Sequence, residues 1–263
     1  MISVITSRAN PRITEAALLK DKKGRDKTAR FLTYGHKLLE EAVQSDALIE
    51  TVFALPDQIP LCRRLLPEEK IVEVSLPVLE KLSTEQAPEG IVGVVGCRAL
   101  LHETTDRYVP KQKGETVCLL HSIQDPGNLG TILRSAAAFG MNTLLLSADC
   151  ADLTHPRAVR ASMGAVFRQH TALCTDFVGT VRTLTEQGYT VFAAVPRADA
   201  LPLCEALNAA MPAFMIGNEG HGLPQDVIDA AGHASVIPMA FGTESLNAAV
   251  AASVILYEQG KSR

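Results

Sequence analysis

Three short stretches carry the residue types that chemistry needs, and each begins where an apolar run ends. The first is Asp125-Pro126-Gly127-Asn128-Leu129-Gly130, which leads into Thr131-Ile132-Leu133-Arg134-Ser135 and an alanine-rich continuation to Gly140. Asn128 is placed to cap the helix that follows. Arg134 is expected about one turn inside that helix, where the partial positive charge of the N-terminus favours an anionic partner. The bland alternative is a surface arginine on an ordinary helix. The second stretch is Gly217-Asn218-Glu219-Gly220-His221-Gly222, directly after the apolar run Phe214-Met215-Ile216. Three glycines in six residues let a backbone turn sharply or approach a ligand closely, with Asn218 and Glu219 as the polar groups. A tight turn without a ligand is the simpler reading. The third runs from Ile237-Pro238-Met239 through Phe241 to Glu244-Ser245-Leu246-Asn247 and then into Ala248–Ala252. Ser245 or Glu244 can cap the next helix, and Met239, Phe241 and Leu246 can wall an apolar pocket. A capped packing helix with no ligand role would need the same residues.

Neither the phosphate-binding loop of P-loop enzymes nor the GxGxxG dinucleotide fingerprint is present, which disfavours a nucleotide-dependent Rossmann enzyme. The seven histidines and six cysteines form no HExxH or CxxC pattern, so no metal is expected. Cysteines inside apolar runs, such as Cys118, read as buried free thiols. With no N-terminal leader evident, they point to a reducing cytoplasm.

The elements that must position these loops alternate. Strands are expected at 50–55, 71–74, 90–96, 116–121, 143–147, 190–195, 213–216 and 235–238. Helices are expected at 35–45, 60–66, 76–82, 128–139, 156–162, 177–187 and 245–258. Such alternation builds βαβ units around a mostly parallel sheet, where ligands bind at the carboxyl ends of the strands. The polar stretch 99–115, with Pro110 and Gly114, reads as a linker between a first domain, 1–98, and a second, 116–263.

Composition agrees with two packed domains. The chain has 263 residues, 47% of them hydrophobic and only 5% aromatic, so its core is aliphatic. No apolar run is long enough to span a membrane. The formal net charge is −4, yet residues 1–30 hold eight cations against Glu15, Asp21 and Asp26. Among those cations, Arg8, Arg12, Lys20, Lys22, Lys23, Arg25 and Lys27 are candidates for contact with the phosphates of an anionic partner. A solvated helix face is the alternative.

Taken together and in this order, the three stretches resemble the motifs of the TrmH-like (SpoU) branch of the SPOUT superfamily of RNA methyltransferases. AVRASMGAVFR at 158–168 resembles a further family stretch. NPRI at 10–13, the basic run at 20–32 and PEGIVGVV at 88–95 resemble the family's small ribosomal-protein-like α/β substrate-binding domain. Tyr34 and Glu89 depart from the Glu and Gln usual in relatives. The resemblance implies a C-terminal trefoil-knotted α/β domain with a mostly parallel sheet, working as a homodimer. It implies transfer of a methyl group from S-adenosylmethionine to a ribose 2′-hydroxyl of rRNA or tRNA. It implies Arg134, Asn128, Glu219, Ser245 and Asn247 as catalytic-site residues. The implied cofactor contacts are Gly217, Asn218, Gly220, Ile237, Met239, Ser245, Leu246 and Asn247. A non-catalytic RNA-binding protein of the same fold is the rival reading.

Overall fold

The computed structural model describes residues 2–84, 88–240, 242 and 245–261. Phe241 and Glu244, expected as pocket wall and cap, lie outside the described residues. The chain divides into two compact units, Met1–Leu100 with Asp152–Arg168, and Leu101–Ala151 with Gln169–Arg263.

The first unit is built on a mixed five-stranded sheet. Its strands are β1 (Ser3–Ile5), β2 (Arg30–Tyr34), β3 (Ile49–Ala54), β4 (Ile71–Val74) and β5 (Ile91–Gly96), in the order β1-β4-β3-β5-β2. Every residue of β5 is buried, as its Val/Ile run demands for a strand paired on both sides. The basic N-terminal stretch holds two helices, Pro11–Ala17 and Lys22–Thr28, and runs on into β2. Segment 152–168 packs into this unit although residues 101–151 separate it from the rest of the unit in the chain. Val159, Val166 and Phe167 share a core with Phe31, Leu39, Val52 and Val95.

The second unit holds an eight-stranded sheet in the order β11-β13-β10-β12-β7-β8-β9-β6, parallel at every pairing. Its strands are β6 (His102–Thr105), β7 (Val117–Leu120), β8 (Thr143–Ser147), β9 (His170–Cys174), β10 (Thr190–Ala194), β11 (Leu201–Pro202), β12 (Pro212–Ile216) and β13 (His233–Val236). The central strands VCLL and TLLLS are wholly buried, the mark of a parallel sheet covered on both faces. The stretch 99–115 is not a free linker. It contributes edge strand β6, paired with β9, and it buries Tyr108 and Glu115. Its polar HETT sequence hides the strand because an edge strand leaves alternate side chains to solvent.

A candidate cofactor cavity and the loops that frame it

The helix after β7 spans Pro126–Ala138, with proline in its first turn and Asp125 as its cap. Asp125 Oδ1 accepts from the Asn128 amide at 2.9 Å, so Asp125 caps the helix and Asn128 does not. This earlier start also moves Arg134. It is the ninth helical residue, roughly 12 Å along the axis at the usual rise, beyond the reach of the N-terminal dipole. Arg134 is exposed and makes no hydrogen bond or ion pair among the described residues. The last helix likewise begins at Ala248, later than expected. Asn247 caps it, with Oδ1 accepting from the amides of Ala249 (2.9 Å) and Val250 (3.3 Å). Ser245 is not helical and is exposed.

The loop after β12 folds back on itself. Asn218 and Gly222 exchange backbone hydrogen bonds at 3.0 Å each, and Asn218 Oδ1 accepts from the amides of Gly220 and His221. Gly217 is required by this turn. A Cβ there would lie 2.4 Å from the Gly222 carbonyl carbon, so its glycine serves loop closure before any ligand. Asn218 Nδ2 also donates to the Ser122 carbonyl at 2.8 Å, tying this loop to the end of β7.

Three residues predicted from separate stretches meet in one chain of hydrogen bonds. The Glu219 carboxylate accepts from the amides of Gln124 (3.3 Å) and Asp125 (3.2 Å) and from Asn128 Nδ2 (2.9 Å). Asn247 Nδ2 donates to Asn128 Oδ1 at 3.1 Å. Partial burial opposes the charge on Glu219, but the Asn128 side chain and the loop amides outweigh it and hold the carboxyl below its ordinary range. Glu219 is therefore an anion at neutral pH, and Asn128 links it to Asn247.

Beside this chain lies a cavity of about 440 Å³, within the usual size of small-molecule sites. The loops after β10, β12 and β13 and the start of the last helix line it. Gly217, Asn218, Gly220, Ile237, Met239, Ser245 and Leu246 all face it; Asn247, Asn128 and Arg134 do not. Glu219 stands in both the hydrogen-bond chain and the cavity lining. Sequence reasoning missed two contributors. Arg197, after β10, is on the lining and ion-paired to Asp199 at 2.7 Å. Ser235, on β13, is 2% exposed and its hydroxyl has no hydrogen-bond partner among the described residues. The only signal for it was a serine inside the run Ala234-Ser235-Val236-Ile237. An apolar cavity with one unanswered buried hydroxyl and a polar rim suits a ligand that is part flat and apolar, part charged.

The basic N-terminal candidates divide. Arg25 is 2% exposed; its guanidinium pairs with Asp152 at 2.7 Å and donates to Thr154 Oγ1 and to the carbonyls of Leu19 and Lys20. It cannot contact phosphate, because its donors are already used inside the first unit. Lys20 is half-buried and donates to the Lys81 carbonyl at 2.8 Å. Arg8, Arg12, Lys22, Lys23 and Lys27 are exposed. Tyr34 is buried under the Arg160 guanidinium, 5.2 Å from the ring centre, and Glu89 sits 3.8 Å from His36. The Cys62, Cys118 and Cys174 thiols are buried, and burial pushes Cys62 up to about 11, so it is no thiolate at neutral pH. No cluster among the described residues could hold a metal, and no helix among them is long and apolar enough to cross a membrane.

Comparison with known proteins agrees with this geometry. The SpoU rRNA Methylase family model matches residues 115–257, and the MRM3-like substrate binding domain matches 10–93. An uncharacterized tRNA/rRNA methyltransferase of Synechocystis sp. is 33% identical, over 98% of this chain and 93% of its own. The crystal structure of an RNA 2′-O ribose methyltransferase superposes with a TM-score of 0.81 and 31% identity, covering 99% of each chain. An AdoMet-bound rRNA methyltransferase from Sinorhizobium meliloti superposes with a TM-score of 0.82 and 28% identity, covering 99% of this chain and 98% of its own. The chain belongs to the SpoU rRNA methylase family and carries an MRM3-like substrate-binding domain ahead of the methylase domain.

Proposed function

We propose that the chain transfers a methyl group from S-adenosylmethionine to a ribose 2′-hydroxyl of rRNA or tRNA. The observation that carries this reading is the convergence of all three loops. Glu219, Asn128 and Asn247 lock them together beside a cavity lined by seven of the eight residues expected to touch the cofactor. When bound there, S-adenosylmethionine supplies a methyl group already activated by a sulfonium. An ionised carboxylate on the cavity lining favours a cationic ligand. Gly217, Asn218, Gly220, Ile237, Met239, Ser245 and Leu246 hold it, while Asn128, Glu219 and Asn247 act as positioning residues.

Arg134 is the candidate catalytic group. A guanidinium stays protonated, so it serves as a fixed cation that orients the ribose or its neighbouring phosphate. It does not line the cavity of its own chain, as a residue acting on a second copy's cavity would not. A homodimer is part of the proposal, supported by Val250 and Tyr257 exposed at 49% and 46% on the last helix. Light scattering should give about twice 28.2 kDa. A trefoil knot in the second unit and a cytoplasmic location complete the reading. The return of the last helix onto Pro126–Ala138, with Ser135 and Ser253 2.7 Å apart, supports the knot.

The test is direct. Calorimetry should detect S-adenosylmethionine binding, and labelled methyl should appear on a ribose of bulk rRNA or tRNA. Arg134→Ala should cut transfer by about a hundredfold or more and leave cofactor affinity unchanged, as loss of an interaction made in the transition state requires. RNA binding with no cofactor binding would favour the rival, a non-catalytic RNA-binding protein. Replacing Lys22, Lys23 and Lys27 together by Gln should lower the salt slope of RNA binding by roughly 2–3. An unchanged slope would remove them from the RNA interface.

A further inference from the structure

Ser235 is on the cavity lining but outside the three loop stretches singled out above. On β13, Ala234 and Val236 pack against the core shared with Phe177, Leu184 and Val227. Side chains alternate along a strand, so Ser235 points to the opposite face, that of His233, whose ring lies 5.5 Å from Phe192. Its partner across the ladder is Ala194, and both line the cavity with Ala248 and Ala251 of the last helix. Four small side chains leave room there for a flat group. The polar members of the lining other than Ser235, namely Asn218, Glu219, His221, Arg197 and Ser245, come from the loops. Within this apolar floor Ser235, 2% exposed, supplies the one polar side-chain group among the described residues, and its hydroxyl has no partner among them. A buried hydroxyl without a partner carries a desolvation cost, which a ligand atom can relieve.

We infer that the Ser235 hydroxyl hydrogen-bonds the edge of the adenine ring of the cofactor, making Ser235 a specificity-determining residue for the adenine base. The inference rests on the proposed function. Adenine is the part of that cofactor with two apolar faces and a polar edge, and its amino-acid end is charged and belongs at the loop rim. A hydroxyl both donates and accepts, so it can answer either the exocyclic amine or a ring nitrogen.

Calorimetry with S-adenosylhomocysteine on the full chain tests this. Ser235→Ala should weaken binding roughly tenfold, the cost of leaving a buried adenine edge atom unanswered. Ser235→Thr, which keeps the hydroxyl, should recover most of the affinity. Without ligand, Ser235→Ala should melt at the same temperature as the parent or higher, because the orphan hydroxyl is gone. Analogues lacking the 6-amine, N1, N3 or N7 should each bind the parent more weakly than the full base. One of them should show no further loss in Ser235→Ala. Unchanged affinity in Ser235→Ala, or equal losses for every analogue in both proteins, would overturn the inference and leave the proposed function standing. Failure of the parent chain to bind S-adenosylhomocysteine would overturn both.

Discussion

The second unit holds two carboxylates that answer to the same chemistry in opposite settings. Glu219 sits beyond the carboxyl end of β12 and is exposed. Glu115 lies just ahead of β7, at the amino ends of the strands, and is 6% exposed. Glu115 Oε1 accepts from Tyr108 Oη and Thr143 Oγ1, both at 2.5 Å, and Oε2 accepts from the Lys111 amide at 2.9 Å. Tyr189 Oη donates to its backbone carbonyl. Burial opposes the charge on each carboxylate, and hydrogen bonds bring both below the ordinary 4.5. The partners differ in kind. Those of Glu115 are two buried hydroxyls, one of which also meets His170 Nδ1 at 3.1 Å, and a backbone amide; those of Glu219 are loop amides and an asparagine beside a cavity. One carboxylate ties together buried groups at the amino ends of the strands, and the other ties two loops together beside a cavity. Burial, not residue type, separates a structural acid from a functional one.

Three measurements break or sharpen that contrast. The largest effect belongs to Glu115→Ala. It removes the shared acceptor of two buried hydroxyls and an amide, and should cost about 3 kcal/mol or more of folding stability in urea. Transfer per folded molecule should be unaltered. A loss under about 1 kcal/mol would show that the cluster is not a lock. Glu219→Ala should do the reverse. Its site is exposed, so stability should change by no more than about 1 kcal/mol. With the three loops unlinked, kcat/KM should fall about tenfold or more. Unimpaired transfer would mean the hydrogen-bond chain does not position the site. The smallest effect is in the pH profile. A carboxyl whose folded value is depressed contributes stability that is present above its unfolded value and lost as pH falls through the folded one. Urea midpoints should therefore decline below about pH 4.5, and Glu115→Gln should flatten that decline. Parallel profiles for the parent and Glu115→Gln would assign acid sensitivity to other groups.

Much of the site was legible because its signals are local. An apolar strand, a turn of Gly, Asn and Asp, and an alanine-rich helix can be read within a dozen residues, and those readings hold for β7, β8 and β12. The caps were misplaced by a few residues, since Asp125 and Asn247 compete with near neighbours of the same chemistry. Strands β6 and β9 were missed because an edge strand and its neighbour need not be apolar throughout.

The sequence by itself determined that this chain is an α/β protein with three polar or glycine-rich loops at strand ends, an aliphatic core and a basic N-terminal stretch. Only the tertiary structure decided which of those residues meet. Glu219 and Asn128 are 91 residues apart and Asn128 and Asn247 are 119 apart, yet each pair shares a hydrogen bond. Arg25 looked like its basic neighbours until Asp152, 127 residues away, took its guanidinium into the core. Ser235 looked like a strand residue until the folded sheet put it on a cavity lining with its hydroxyl unpartnered among the described residues. Periodicity and capping report the few residues around a position, whereas burial and partnership are set by segments distant in the chain, so side-chain chemistry of this kind is fixed only when the sheet assembles.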